Sequence, residues 1–106
     1  MKRGNIYFKA KTPLNKEIRI TEEYWNFIIS VKHPSMSGKE KEIITTLEDP
    51  GFVRRSKKDE RVFLYYRSLD EKYICVVCKH LNEEGFIITT YMTDRVKEGE
   101  EIWRRS

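Results

Sequence analysis

Three runs of strand-forming residues follow one another between Val62 and Asp94. They are rich in Val, Ile, Tyr, Phe and Thr, and two short polar breaks separate them, at 68–72 and 82–85. Runs of this kind joined by short turns are typical of an antiparallel meander. The run Phe52–Ser56 precedes them and adds one strand, so the sequence predicts a four-stranded antiparallel sheet.

Two helices are predicted before this sheet. Thr21 is a suitable N-cap, two glutamates follow it, and apolar residues at helical spacing continue until Pro34 ends the helix. Ser37 and Glu40 fit a capping box at the start of a second helix, which ends at 49–51. The predicted fold class is therefore α+β, with two N-terminal helices packed on one face of the sheet.

The two ends of the chain have weaker patterns. Residues 5–11 and 16–20 alternate in polarity around a Pro-containing turn, which favours an extra N-terminal hairpin or an added edge strand. Ile102 and Trp103 are expected to fold back as an apolar clasp. A chain of 106 residues is of the size of one domain, so residues 1–106 are predicted to form a single unit.

The charge distribution favours an anionic partner. The net charge is +4, and the densest basic run is Arg54-Arg55-Ser56-Lys57-Lys58. Such a cluster is suited to the phosphates of RNA or DNA, because Lys and Arg neutralise the backbone and release its counterions. Short charged runs are also typical of solvated faces, so this signal alone does not decide the function.

The two cysteines, Cys75 and Cys78, lie inside the most strand-like run. Residues three apart in a strand point to opposite faces, so the pair is predicted neither to bind a metal nor to form a disulfide. We interpret both as small apolar residues of a cytoplasmic protein. The sequence has no signal peptide pattern and no apolar run of membrane-spanning length, so no membrane association is expected.

Alternation along the strands assigns the sheet residues to two faces. One set, which includes Val62, Leu64 and Tyr66, is mostly apolar and is expected to be buried. The other set mixes aromatic, hydroxyl and cationic side chains, namely Tyr65, Arg67, Lys79, Thr89, Tyr91 and Thr93. This face is suited to a polyanion, although cross-strand pairing for sheet stability explains the same pattern.

His33 is the candidate acid or base. Metal-independent cleavage of RNA requires a group that takes the proton of the 2′-hydroxyl, cations that hold the phosphate, and an acid for the leaving oxygen. A histidine, an Arg or Lys, and Tyr or Thr hydroxyls are sufficient for this chemistry, and histidine side chains titrate near neutral pH. Capping of the C-terminal end of the first helix is the other interpretation of His33.

Several segments also carry a resemblance to a known group of domains. These segments are Thr21–Trp25, Lys32–Pro34, Leu47–Pro50, Val53–Lys57, Leu64–Arg67, Val76–Val77 and Gly85–Asp94. Together they resemble the small phage and bacterial nuclease-like domains grouped with barnase, EndoU, colicin-type ribonucleases and RelE toxins. The resemblance covers residues 20–103 and leaves 1–19 as an N-terminal strand extension.

The resemblance implies two helices followed by a four-stranded antiparallel sheet, and an endoribonuclease that acts without a metal or other cofactor. It places the active site on the open sheet face, with His33, Arg55, Thr89 and Tyr91 as catalytic residues. Many relatives have Thr-Ala-Tyr-Pro where this chain has Met92 after the tyrosine. RNA is the implied partner, and the toxin-like relatives imply an antitoxin or immunity protein as a second one.

The residues expected to bind RNA complete this site. They come from the basic run and from the open face, and they are Arg54, Ser56, Lys57, Tyr65, Arg67, Lys79 and Thr93. Two other functions agree with the same residues. One is an RNA-binding module without catalysis, and the other is a toxin-like protein-interaction domain that binds no RNA.

Overall fold

Within residues 4–106 the fold consists of seven strands and two short α-helices, with a π-helical and a 3-10 turn between the helices. The structure is a computed structural model that describes residues 4–106. The helices are α1 (Glu22–Phe27) and α2 (Glu40–Glu48), and the strands are β1 (Ile6–Lys11), β2 (Glu17–Thr21), β3 (Phe52–Ser56), β4 (Val62–Leu69), β5 (Lys72–His80), β6 (Glu84–Thr93) and β7 (Gly99–Arg104). All seven strands belong to one sheet with the order β1-β2-β6-β5-β4-β3-β7.

The prediction of a four-stranded sheet with two packed helices is wrong. The strands β3 to β6 form the expected antiparallel meander, but β2 adds to β6 in parallel and β7 adds to β3. The N-terminal hairpin and the C-terminal residues therefore extend the meander on both sides into a mixed sheet. Ile102 and Trp103, expected as a clasp, lie in β7. This strand covers an edge of β3 that would otherwise be open, and Trp103 lies opposite Val53.

The helical layer covers one face of the sheet. Thr21 caps α1 as predicted, and its Oγ1 accepts a hydrogen bond from the backbone N–H of Tyr24 at 3.2 Å. The capping box predicted at Ser37 is wrong, because Lys39 precedes α2 and gives it no side-chain cap. Beneath the helices lies the main core, which includes Trp25, Ile28, Ile43, Leu47, Val53, Tyr65, Val76 and Cys78. Within residues 4–106 no helix has the length and apolar character needed to cross a membrane.

The strand register shows that the faces of β4 were assigned in the wrong phase. Directly opposed residues share a face, and Tyr65 lies opposite Val76 while Leu64 lies opposite Val77. Tyr65 is therefore on the helical face and Leu64 on the other. A tight turn at Asp70, which has a φ of 57°, sets this register. Alternation within one strand defines two faces, but it does not say which of them matches the next strand.

The other face of the sheet is crossed by residues 94–98, which we call the strap. The strap leads from β6 to β7, and β5, β4 and β3 lie between these two strands. The backbone N–H of Lys97 donates to the hydroxyl of Tyr66 at 3.1 Å, and the Val96 side chain packs on a second apolar cluster. This cluster includes Phe52, Leu64, Tyr66, Cys75 and Val77. Both faces of the sheet are thus partly covered.

Candidate functional site

A cleft of about 520 Å³ lies beside the strap, on the face of the sheet opposite the helices. Its floor is aliphatic and one side carries hydroxyl groups, while its rim comes from the β3–β4 turn and from the strap. The floor residues are Val62, Leu64 and Val77, the hydroxyl residues are Thr89 and Tyr91, and the rim residues are Ser56, Lys57, Lys58, Lys97 and Glu98.

Two cross-strand rows bring these residues together. The first row contains Arg54, Leu64, Val77 and Thr89, and the second, nearer the strap, contains Phe52, Tyr66, Cys75 and Tyr91. A β-bulge between Val77 and Cys78 leaves Ile88 without an opposite residue. Bulges re-aim side chains next to functional sites, and this one aligns Thr89 and Tyr91 with the cleft.

Three buried polar atoms on this face have no hydrogen-bond partner. They are Nε of Arg54, Oγ1 of Thr89 and Oη of Tyr91, and they are the only buried side-chain N or O atoms in residues 4–106 with this property. Burying a polar group without a partner costs about 1–3 kcal/mol, so such atoms are rare in folded proteins. Thr89 and Tyr91 line the cleft, and Arg54 lies in the same cross-strand row as Thr89, so the three atoms are grouped on this face of the sheet.

His33 lies beside Tyr91, and an irregular helix end brings it there. After α1 the chain continues as a π-helical turn, Ile28–Lys32, and the N–H of His33 donates to the carbonyl of Ile28 at 2.7 Å. Short π-helical turns occur frequently at functional sites. The turn directs the imidazole toward β6, where its ring centroid lies 5.4 Å from that of Tyr91. The predicted convergence of His33 and Tyr91 is therefore present.

Burial controls the protonation of the hydroxyl and thiol groups on this face. It raises the pKa of the Tyr91 phenol above its usual range, and the neighbouring Cys75 thiol adds to the effect. Burial likewise raises the pKa of Cys75 to about 11 and that of Tyr66 to about 12. At neutral pH the Tyr91 phenol consequently keeps its proton and is available as a hydrogen-bond donor rather than as a base.

Lysines supply the positive charge of the rim. Lys97 Nζ lies 5.8 Å from the centroid of the Tyr91 ring, and Lys57 Nζ lies 4.0 Å from Oε1 of Glu98. The Lys57–Glu98 pair is largely exposed, and exposed ion pairs contribute little. An incoming phosphate can therefore replace the carboxylate at Lys57 at small cost.

Three residues expected on the open face lie on the helical face instead. Tyr65 is fully buried in the main core, and Arg67 binds the carboxylate and the carbonyl of Asp49. Arg55 lies opposite Phe63 and forms an ion pair with Glu100. The expected positions of Tyr65, Arg67 and Arg55 are wrong, because the register of β3 and β4 turns them away from the cleft.

The remaining predicted residues lie on the cleft face. Ser56, Lys57, Thr89 and Tyr91 line the cleft, and Arg54 donates to the carbonyl of Lys97 at 3.4 Å. Lys79 lies opposite Val62 on the same face, but its ammonium group forms an ion pair with Asp59 at 3.3 Å. Thr93 lies beyond the strap, where its Oγ1 accepts from the N–H of Arg95 at 3.0 Å.

Sequence reasoning missed Lys97, Glu98 and the aliphatic floor. Lys97 and Glu98 belong to a charged segment with no motif of its own, and only the pairing of β7 with β3 brings them across the sheet. Residues 99–104 do not alternate in polarity, so the sequence carries no clear signal for β7. The floor was missed because Leu64 and Val62 were assigned to the helical face.

The part of the chain covered by residues 4–106 contains no group of three or more His, Cys, Asp or Glu side chains placed to hold a metal ion. Comparisons of the chain with protein-family models, curated proteins and solved structures found no match.

Proposed function

We propose that this protein is an endoribonuclease that cleaves RNA by attack of a 2′-hydroxyl on the adjacent phosphate, with the cleft as its active site. The observation that carries the proposal is the cluster of three unpartnered buried polar atoms, on Arg54, Thr89 and Tyr91, beside a histidine and a lysine rim. A phosphodiester supplies acceptors for such donors and negative charge for such cations. The resemblance to nuclease-like domains supports the same chemistry.

Each group has a role in the proposed reaction. His33 takes the proton from the 2′-hydroxyl, the O2′–P bond forms and the P–O5′ bond breaks, and the 5′ oxygen leaves with a proton supplied by water at the open mouth. Arg54 and Lys97 hold the phosphate, and Tyr91 donates a hydrogen bond to the oxygen on which negative charge develops. The products are a 2′,3′-cyclic phosphate and a 5′-hydroxyl.

The test is incubation of the purified protein with total RNA in excess EDTA, followed by gel analysis and identification of the product ends. Wild type, His33→Ala and Tyr91→Phe are compared, and Arg55→Ala serves as a control for a basic residue outside the cleft. We expect cyclic phosphate ends from wild type and the control, with cleavage reduced by about 100-fold or more in the two cleft variants. Undiminished cleavage by both variants would contradict the proposal.

The same experiments distinguish an endoribonuclease from a module that binds RNA without cleaving it. In that case RNA remains intact, while binding persists and weakens steeply with salt. Failure to bind RNA at any salt concentration would exclude both the nuclease and the RNA-binding module. The third alternative, a protein-interaction domain that binds no RNA, would then be favoured.

A further inference from the structure

A second pocket, of about 330 Å³, lies where β2 and β6 separate. The two strands pair in parallel over three residues, and Arg19 with Phe86 is the last pair. Beyond it the chain turns from β2 into α1 at Thr21, while β6 continues to Thr93. The lining consists of Arg19, Ile20, Thr21, Tyr24, Phe86, Ile87 and Ile88. The cleft is lined by a different set of residues, so this pocket is a separate site.

The hydroxyl groups in this lining already have partners within the protein. The Tyr24 hydroxyl donates to the carbonyl of Ile88 at 2.6 Å and accepts from Nζ of Lys32 at 3.2 Å. Oγ1 of Thr21 accepts from the N–H of Tyr24 at 3.2 Å. The surface left for a ligand is therefore mainly apolar, and it comes from Ile20, Tyr24, Phe86, Ile87 and Ile88.

Arg19 is the charged residue of this lining. Its Nη1 forms an ion pair with Glu84, whose side chain is 60% exposed, and exposed ion pairs contribute little to stability. A guanidinium has five N–H donors, so the contact with Glu84 leaves other donors of Arg19 for a ligand. The pocket thus combines an apolar interior with one cation at its edge.

We infer that this pocket binds a small carboxylic acid with an apolar tail, with the carboxylate on Arg19 and the tail between β2 and β6. The planar fork of an arginine matches the two oxygens of a carboxylate. Apolar walls with a few fixed polar groups are typical of small-molecule sites of about 300–1,000 Å³. A pocket of 330 Å³ holds about ten water-sized groups, which is about the size of octanoate. This inference does not rest on the proposed function.

The probes are octanoate, butyrate and 1-octanol, each used below the concentration at which it aggregates. Binding is followed at pH 7 by the amide shifts of the ¹⁵N-labelled protein in NMR titrations. We expect shifts at residues 19–21 and 86–88. Octanoate should bind about tenfold more tightly than 1-octanol, because the alcohol has no charge for Arg19. It should also bind at least about tenfold more tightly than butyrate, because the shorter tail buries less apolar surface.

Arg19→Gln and Glu84→Gln test the position of the carboxylate in opposite directions. Arg19→Gln should weaken octanoate binding about tenfold, to the level of 1-octanol. Glu84→Gln should strengthen it severalfold, because a competing carboxylate is removed from Arg19. Arg55→Gln is the matched control, since Arg55 also pairs with an exposed glutamate but lies in β3. Binding of 1-octanol should be unchanged in all three variants.

Phe86→Ala and Leu81→Ala test the apolar wall. The two side chains are similarly exposed, at 38% and 42%, but Phe86 lines the pocket whereas Leu81 lies in the turn after β5. Phe86→Ala should weaken octanoate and 1-octanol severalfold each. Leu81→Ala should change neither, and circular dichroism confirms the folding of both proteins.

Absence of shifts at residues 19–21 and 86–88 at millimolar octanoate would overturn the inference, and so would equal octanoate affinity in Arg19→Gln and wild type. Shifts centred on other exposed apolar residues, such as Val31, would show adsorption to the surface and would overturn it as well. RNA cleavage enters none of these measurements. The ribonuclease proposal and this inference therefore stand or fail separately.

Discussion

The imidazole of His33 packs against the phenol ring of Tyr91, with the two ring planes inclined by 43°. His33 comes from the end of the helical layer, which covers one face of the sheet. Tyr91 comes from β6 and belongs to the other face, so the contact links the two sides of the sheet. Tyr24 and Lys32 reinforce the junction, since both side chains donate to the carbonyl of Ile88, at 2.6 and 3.3 Å. His33 thus reaches Tyr91 from an element that is itself anchored to β6.

Tyr91→Phe should separate function from stability. The Tyr91 hydroxyl has no N or O partner, and the Cys75 thiol beside it is only a weak hydrogen-bonding group, so its removal is expected to change the free energy of unfolding by less than about 1 kcal/mol. RNA cleavage should decrease by about 100-fold, which is typical for the loss of one hydrogen bond to a developing negative charge. Urea unfolding and initial cleavage rates measure the two effects. A large loss of stability would show that the hydroxyl has a structural partner instead.

Tyr66→Phe is the matched change in the same cross-strand row, and the opposite result is expected. The Tyr66 hydroxyl accepts a hydrogen bond from the N–H of Lys97, which holds the strap. Removing this acceptor leaves a partly buried donor unpaired, so stability should decrease by about 1–2 kcal/mol. Hydrogen exchange at Lys97 should become faster. Unchanged exchange at that amide would mean that other contacts position the strap.

Arg54 and Arg55 are adjacent in sequence and lie on opposite faces of β3, so they test which face binds RNA. Arg54→Ala should weaken RNA binding by about tenfold and lower the slope of log affinity against log salt by about one. Arg55→Ala should leave both quantities within about twofold, because Arg55 pairs with Glu100 away from the cleft. Equal losses in the two variants would place the RNA along the β3 edge rather than in the cleft.

Local patterns predicted much of this fold. The strand Phe52–Ser56, the cap at Thr21 and the opposite orientations of Cys75 and Cys78 follow from short-range rules and are confirmed. The parallel pairing of β2 with β6 and the addition of β7 depend on contacts between distant residues, which periodicity does not encode.

The candidate site was also predicted only in part, because some of its residues are placed by short-range alternation and others by the pairing of distant strands. Thr89, Tyr91 and Lys57 were assigned to the correct face, and His33 was expected near them. Tyr65 was misplaced because the register between β4 and β5 decides its face. Tyr65 was placed on the open face with Arg67, but its hydroxyl has buried partners in the structure.

Those partners lead to the last prediction, which concerns pH. His80 is 5% exposed, its Nε2 lies 2.9 Å from the Tyr65 hydroxyl, and the Phe63 ring stacks on it. Burial lowers the pKa of His80 from 6.5 to about 4, and the charge of Lys16 adds to this effect. As pH falls, the unfolded chain therefore binds a proton at this histidine before the folded chain does.

The free energy of unfolding should consequently decrease between pH 6.5 and about pH 4, and His80 should contribute no further decrease below that. We expect a loss of about 2 kcal/mol across this interval, a value reduced from the full shift because water partly screens the site. Urea unfolding at several pH values measures it, with His80→Gln as the non-titrating comparison. Since other groups titrate equally in both proteins, the difference between the two curves isolates His80. Parallel curves would show that the imidazole is protonated equally in the folded and unfolded chains, and that burial does not control its pKa.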